Sequence, residues 1–262
     1  MSGSIFKSAL LAMFCLPPSL CAANDTLVQF VACPIYRDTD AGKKSGCWLA
    51  DDRASGRRYD VSQSPTKPDW NHEVLVEGKV TRQKDVCGGV VLAPVRVSVL
   101  QGACVPKMLP AEGYPGRAFV LPPRNVRPIS EVRAQPDKPY AEKTFYLFFD
   151  FDRDFMVYQL DDYFFDRAVA YIRAVEPREV VVTAYAATES MSVSSRRMRE
   201  DIAIAKRRAA MVTESLKRLG VPENVIRTRW RGNASPIDVD DADGLPDSSR
   251  RRVEIAVRPD LP

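Results

Sequence analysis

Arginine crowds one stretch in the second half of the chain. Arg196, Arg197, Arg199, Lys206, Arg207 and Arg208 follow one another closely, opposed only by Glu200 and Asp201. A guanidinium presents its N–H groups as a planar fork that meets a carboxylate through two parallel hydrogen bonds. The chemistry such a stretch can do is therefore to hold an acid group. Nucleic acid fits less well, because acidic and basic side chains nearly balance from residue 141 onward and the whole chain carries only +4.

Other candidate chemistries fail on spacing. Asp238, Asp240, Asp241, Asp243 and Asp247 form an acidic loop around Gly244. A calcium loop of the EF-hand kind needs acids at alternating positions before its glycine and a glutamate at the end. In the register set by Asp243-Gly244 the first position is Val239 and the last is Arg250, so a hydrated loop is expected. Asp150, Asp152 and Asp154 read as a turn at a strand end. The chain has 1 histidine, His72, placed in a Pro/Asn/Asp loop. No nucleophile elbow, Walker loop or HExxH is present. The expectation is a protein that is not an enzyme and has no cofactor and no metal.

The cysteines speak to compartment. Residues 1–23 read as a secretory signal, with Lys7 as the positive region, Ala9 to Leu16 as the apolar run, and cleavage after Ala23. Lipidation at Cys21 or Cys15 is the competing fate, poorly served by Leu20 and Phe14 before them. Cys33, Cys47, Cys87 and Cys104 remain, and four cysteines in an exported chain imply two disulfides. Of three possible pairings, Cys33–Cys47 with Cys87–Cys104 is favoured, since the first pair flanks the turn signal Asp38 to Gly42. No later segment is apolar enough to span a bilayer. The expected location is the periplasm, with outer-membrane association a further option.

Four segments position these residues: the signal (1–23), a small β module (24–105), a proline-rich connector (106–143) and a second domain (144–262). The module reads as four or five strands, at Val28–Val31, Cys47–Ala50, Val74–Val80 and Val90–Leu100, stapled into a small OB- or SH3-like barrel. Trp48, Trp70 and His72 are groove candidates there, with core packing or a loop the plainer expectation. Beyond the prolines, Thr144–Phe149 and Val180–Tyr185 read as covered strands. Asp161–Val175 reads as a helix ended by Pro177. A long helix is expected from Ser195 to Leu219, with Met198, Ile202, Ala205, Ala209, Val212 and Leu216 as its buried stripe and Gly220 as its stop. Val225–Trp230 and Arg252–Val257 complete a β-α-β-α-β-β sandwich. The fold class is α+β.

Five pieces of this second domain come in a familiar order. They are Phe148-Phe149-Asp150-Phe151-Asp152, Arg208-Ala209-Ala210-Met211-Val212, Gly220-Val221-Pro222 with Val225-Ile226, Gly232 to Pro236, and Arg251-Arg252-Val253-Glu254-Ile255. Together, Phe145–Pro259 resembles the OmpA-like C-terminal domain shared by MotB-type stator proteins and peptidoglycan-associated lipoproteins. The resemblance implies non-covalent peptidoglycan binding, with an R-A-x-x-V arginine holding a stem-peptide carboxylate and a G-x-T-D aspartate holding its ammonium. The arginine falls on Arg208. The aspartate falls on Ala187, and the stretch from there to Arg208 is longer than the family's. The expected ligand-binding residues are thus Arg208 helped by Glu189, Tyr185 and Arg251, with binding weakened by the missing acid. The partners expected are peptidoglycan and other envelope proteins, with no nucleic acid and no transmembrane segment in the mature chain. The alternative is a periplasmic protein-interaction or scaffold module that has lost peptidoglycan binding.

Overall fold

The computed structural model describes residues 26–38, 46–117, 135–155, 158–239, 242 and 244–259. The signal segment with Cys15 and Cys21, the Thr39–Gly42 part of the turn signal, most of the proline-rich stretch, and Asp240, Asp241 and Asp243 lie outside the described residues.

The amino-terminal module is one seven-stranded sheet. Its strands are β1 (Leu27–Ala32), β2 (Pro34–Arg37), β3 (Cys47–Asp52), β4 (Arg57–Asp60), β5 (His72–Val80), β6 (Val90–Ala103) and β7 (Lys107–Leu109), ordered β1-β5-β6-β4-β3-β2-β7. Most pairs are antiparallel; β2 with β7 and β4 with β6 are parallel. The sheet curls enough for Phe30 on β1 to meet Tyr59 on β4, ring centroids 5.3 Å apart. Phe30, Tyr59, Val74, Val76, Leu92 and Val97 form its core. Seven strands replace the expected four or five, and their order does not establish an OB- or SH3-like barrel. β7 lies in the stretch expected to be connector, and Gly116 N–H still bonds Val86 O at 3.1 Å.

The disulfides are Cys33–Cys104 and Cys47–Cys87, which corrects the favoured pairing. Register explains it. Cys33 follows β1 and Cys104 follows β6, whose ends meet across β5. Proximity in sequence was the wrong guide in a sheet built from distant strands.

The second half is a four-stranded sheet under two helices. Strands β8 (Lys143–Phe148), β9 (Glu179–Ala186), β12 (Ile226–Gly232) and β13 (Arg252–Arg258) take the order β12-β9-β13-β8. Helices α1 (Tyr158–Val175) and α2 (Ile202–Arg218) pack on one face, and a one-turn helix α3 (Pro246–Ser249) precedes β13. Phe145, Leu147, Val180, Val182, Val253 and Ile255 face Phe164, Ile172, Ala209, Val212 and Leu216. At about 25 cal/mol per Å² this apolar burial is the main force holding the layers together.

Helix α2 begins later than its stripe suggested. Asp201 is its N-cap, accepting from Ala203 N–H. It ends where Gly220 turns to φ +90, with Gly220 N–H on Lys217 O and Val221 N–H on Leu216 O, the paired bonds that close a helix on a left-handed residue. Residues expected as its first turn instead form a hairpin, β10 (Met191–Val193) and β11 (Arg196–Met198). Ser194 and Ser195 make its turn at φ 49 and 64.

The hairpin and the loop after β8 carry the contact with the module. Val31 and Leu75 of the module pack with Phe151, Val193 and Met198 in one buried cluster. Val31 N–H bonds Ser194 Oγ at 2.9 Å and Phe151 N–H bonds Ser98 Oγ at 2.8 Å. Arg196 forks onto Glu73 at 2.5 and 2.7 Å.

Candidate functional site

Arg208 projects from α2 into the interior, with 0% of its surface exposed. Its five N–H groups all have partners within the chain. Nε donates to Arg153 O at 2.8 Å. Nη1 donates to Tyr185 O at 2.9 Å and Glu200 Oε2 at 3.0 Å. Nη2 donates to Asp150 O at 3.1 Å and Glu200 Oε1 at 2.6 Å. The two-point grip on a carboxylate inferred from the residue type is present, and the carboxylate is the chain's own. The guanidinium carbon also sits 5.0 Å from the Phe149 ring centroid.

Glu200 is as fully engaged as its partner. Besides Arg208 it accepts Asp152 N–H at 2.9 Å and Ala187 N–H at 2.7 Å. Burial alone would raise its carboxyl; the hydrogen bonds and charge of Arg208 outweigh burial and hold it below the ordinary 4.5. Ala187 is the position the resemblance gave to the ammonium-binding aspartate. Here its backbone N–H helps to fix the internal acid, and its side chain is buried.

Arg251 is the second interior arginine, also 0% exposed. It pairs with Glu77 of β5, and donates to Phe149 O at 3.2 Å and Asp247 O at 3.2 Å. Its partner acid comes from the module, so this bond crosses between the halves. A further crossing bond joins Arg96 to Asp150 at 3.2 Å, while Thr66 Oγ1 donates to the other Asp150 oxygen at 2.5 Å. The strand-end turn expected at Asp150 is a docking point as well. Asp152 does take a turn conformation, with φ 54, and Asp154 pairs with Arg207 at 2.6 Å on the surface.

The expected ligand-binding residues therefore do not converge on open space. Tyr185 offers its carbonyl to Arg208, while its ring lies on the opposite face of the sheet under the Arg252 guanidinium, 4.7 Å away. Glu189 is exposed and 3.6 Å from Arg250. It lines a small pocket with Ala187, Ser190, Met191, Asn233, Asp247 and Arg250. Neither Arg208 nor Arg251 reaches that pocket.

Glu200 and Glu77 are the residues that sequence reasoning missed. A signal existed for each. Glu77 sits in Val74-Leu75-Val76-Glu77-Gly78, the segment of β5 whose five residues are all buried, and a carboxylate in so apolar a run needs a cation. Glu200 precedes the N-cap of α2 and stands where a helix face would otherwise continue. Of the groove candidates, Trp48 and Trp70 pack with Tyr36 as a trio whose centroids lie 5.0–5.2 Å apart, and His72 Nδ1 meets Asp69 at 2.9 Å. Among the described residues no group of acids, histidines and cysteines has the arrangement to hold a metal ion, and no helix is long and apolar enough to cross a membrane.

No family model matches the sequence and no curated protein matches it. Solved structures do. The OmpA-like domain of FopA1 from Francisella tularensis is 21% identical, over 45% of this chain and 73% of that one, at a TM-score of 0.35. The peptidoglycan-associated lipoprotein from Burkholderia pseudomallei is 18% identical, over 44% and 90%, at 0.34. The periplasmic domain of Helicobacter pylori MotB (residues 78–256) is 15% identical, over 85% and 88%, at 0.32. Likeness at this level says nothing of ligands. The order of motifs and elements in the carboxy-terminal half is similar to that of an OmpA-like domain.

Proposed function

We propose that this chain is an exported, non-enzymatic cell-envelope protein that works as a protein-interaction scaffold. Its OmpA-like half has turned the carboxylate-holding arginine of its fold inward. One observation carries the reading: every N–H of Arg208 is engaged by Glu200 or a backbone carbonyl. A stem-peptide carboxylate would have to displace a buried, bidentate acid to reach it. Arg251 is engaged from the module side in the same way. Export is supported by the two disulfides, which persist in oxidising compartments.

Co-sedimentation of the purified protein with isolated sacculi tests the reading. Wild type is expected to stay in the supernatant, and its complexes in envelope extract are expected to survive muramidase digestion. Pelleting that muramidase abolishes would overturn the scaffold.

A second reading is favoured by the pocket beside Ala187. Glu189 and Asp247 offer carboxylates and Arg250 a guanidinium, the groups that an amino acid's two charges need. Weak peptidoglycan binding through this pocket predicts that wild type pellets with sacculi and that Glu189→Ala with Arg250→Ala does not.

A further inference from the structure

Among the described residues no strand pairs with the outer edge of the carboxy-terminal sheet. β12 lies at the end of the order β12-β9-β13-β8, parallel to β9. Its five central residues, Arg227 to Arg231, are all exposed. An edge strand offers a row of unpaired backbone N–H and C=O groups to any extended segment that approaches.

The two faces of that edge differ in chemistry. Ile226 lies opposite Val180 in the register, and Val180 faces the helices. Thr228 and Trp230 therefore share the helix side, and Arg227, Arg229 and Arg231 share the open side. Thr228 bonds Thr213 of α2 at 2.9 Å. Trp230 is 47% exposed, with Lys206 Nζ 5.6 Å from its ring centroid.

The arginines on the open side are in excess over local acids. Arg258 is matched by Glu179 and Glu142, and Arg252 by Glu254. Glu179 also feels Arg227 and Arg229. Among the described residues Arg227 donates to Asn224 O and Ile226 O. Arg229 and Arg231 have no hydrogen bond or ion pair among the described residues. Three like charges at alternate positions of one strand repel one another, and an acid beside each relieves that.

We infer that β12 is the docking edge of the scaffold and that its partner is an extended acidic peptide segment added as a fifth strand. Backbone bonding to the edge supplies affinity, and alternate side chains supply specificity. Acids at every second position meet Arg227, Arg229 and Arg231. The intervening residues are apolar or threonine, and lie against Trp230 and the stem of Lys206. The recognised pattern is thus acid–apolar alternation, and contiguous acids are discriminated against because half of them would face the tryptophan side.

Calorimetric titration of the full chain with acetyl-Asp-Val-Asp-Thr-Asp-Val-Asp-amide tests this. Binding is expected, weakening as salt is raised. The variant carrying Arg229→Glu and Arg231→Glu, both exposed, should bind about tenfold more weakly or worse. A comparable loss is expected for the wild type with a scrambled peptide whose acids are contiguous, and with one whose alternate amides are N-methylated. If the variant does not fold, the three peptides on wild type decide. The inference is overturned if the alternating peptide does not bind. It is equally overturned if the N-methylated peptide binds as tightly, or if polygalacturonate does, since either would mean charge attraction without strand addition. The inference rests on the scaffold reading, and the two fail separately. A protein that ignores the peptide yet stays off sacculi loses only the edge, whereas pelleting with sacculi counts against the scaffold whatever the peptide does.

Discussion

Arg208 and Glu200 are each saturated by the other and by main-chain groups, so removing one strands the other. A buried ion left without its partner costs about 3–5 kcal/mol. Arg208→Ala should therefore lower the unfolding free energy measured in urea by that much, and Arg208→Ala with Glu200→Ala should cost less than the single changes summed. Additive losses in this cycle would show the pair to be uncoupled. Acid titration probes the same bond from the other side. The Glu200 carboxyl in the fold lies below its ordinary 4.5. Its stabilisation is thus complete above that value and drains away as pH falls through the lower folded value. Urea midpoints of wild type and Glu200→Gln, compared from neutral pH downward, should converge below 4.5. Parallel curves would assign the acid sensitivity to other carboxylates. The sequence made Arg208 visible as a carboxylate holder, through residue type and through the R-A-x-x-V pattern. It hid the identity of the carboxylate, because an acid eight positions earlier looks like a surface counter-charge until the hairpin folds it inward.

At the scale of elements, α1, β8, β9, β12 and β13 were legible within a few residues, because apolar periodicity and the stops at Pro177 and Gly220 are local signals. The start of α2 was not. Met198 continues the apolar spacing of the helix, yet it faces Val31 and Leu75 of the module from a hairpin. Periodicity cannot tell one helix face from a hairpin that happens to bury a residue in phase with it. The hairpin turn has its own cost, since Ser195 holds φ 64. Ser195→Gly should stabilise the protein by up to about 1 kcal/mol, read as a rise in Tm, because glycine adopts that region without a Cβ penalty. The reverse holds at the other end of α2. A Cβ at Gly220 meets nothing within 4 Å, but φ there is +90. Gly220→Ala should cost about 1 kcal/mol from backbone strain alone. A neutral result would mean that the helix end relaxes to another conformation.

For the whole molecule, the two halves meet through a buried apolar cluster and through Arg251–Glu77 and Arg96–Asp150. Glu77 in its apolar strand signalled the need for a cation, but neither pairing was readable from the chain, since each bond joins residues far apart in sequence. The expected consequence is one cooperative thermal transition. Glu77→Ala should lower it and broaden or split it, as measured by differential scanning calorimetry. Two well-resolved transitions in wild type would contradict this. Reduction should act more strongly on the module half, because Cys33–Cys104 spans 71 residues and Cys47–Cys87 spans 40, loops whose closure is worth roughly 3–5 kcal/mol each.

The internal glutamate also decides what competition at Arg208 would require. Glu200 is tied to its guanidinium through a short run of backbone, so it never diffuses away. The tether keeps its effective local concentration high at all times, and the buried two-point pairing adds to that advantage. Acetate, free amino acids or loose wall fragments are accordingly poor rivals, and only an occupant that also pried the hairpin off Val31 and Glu73 would gain entry.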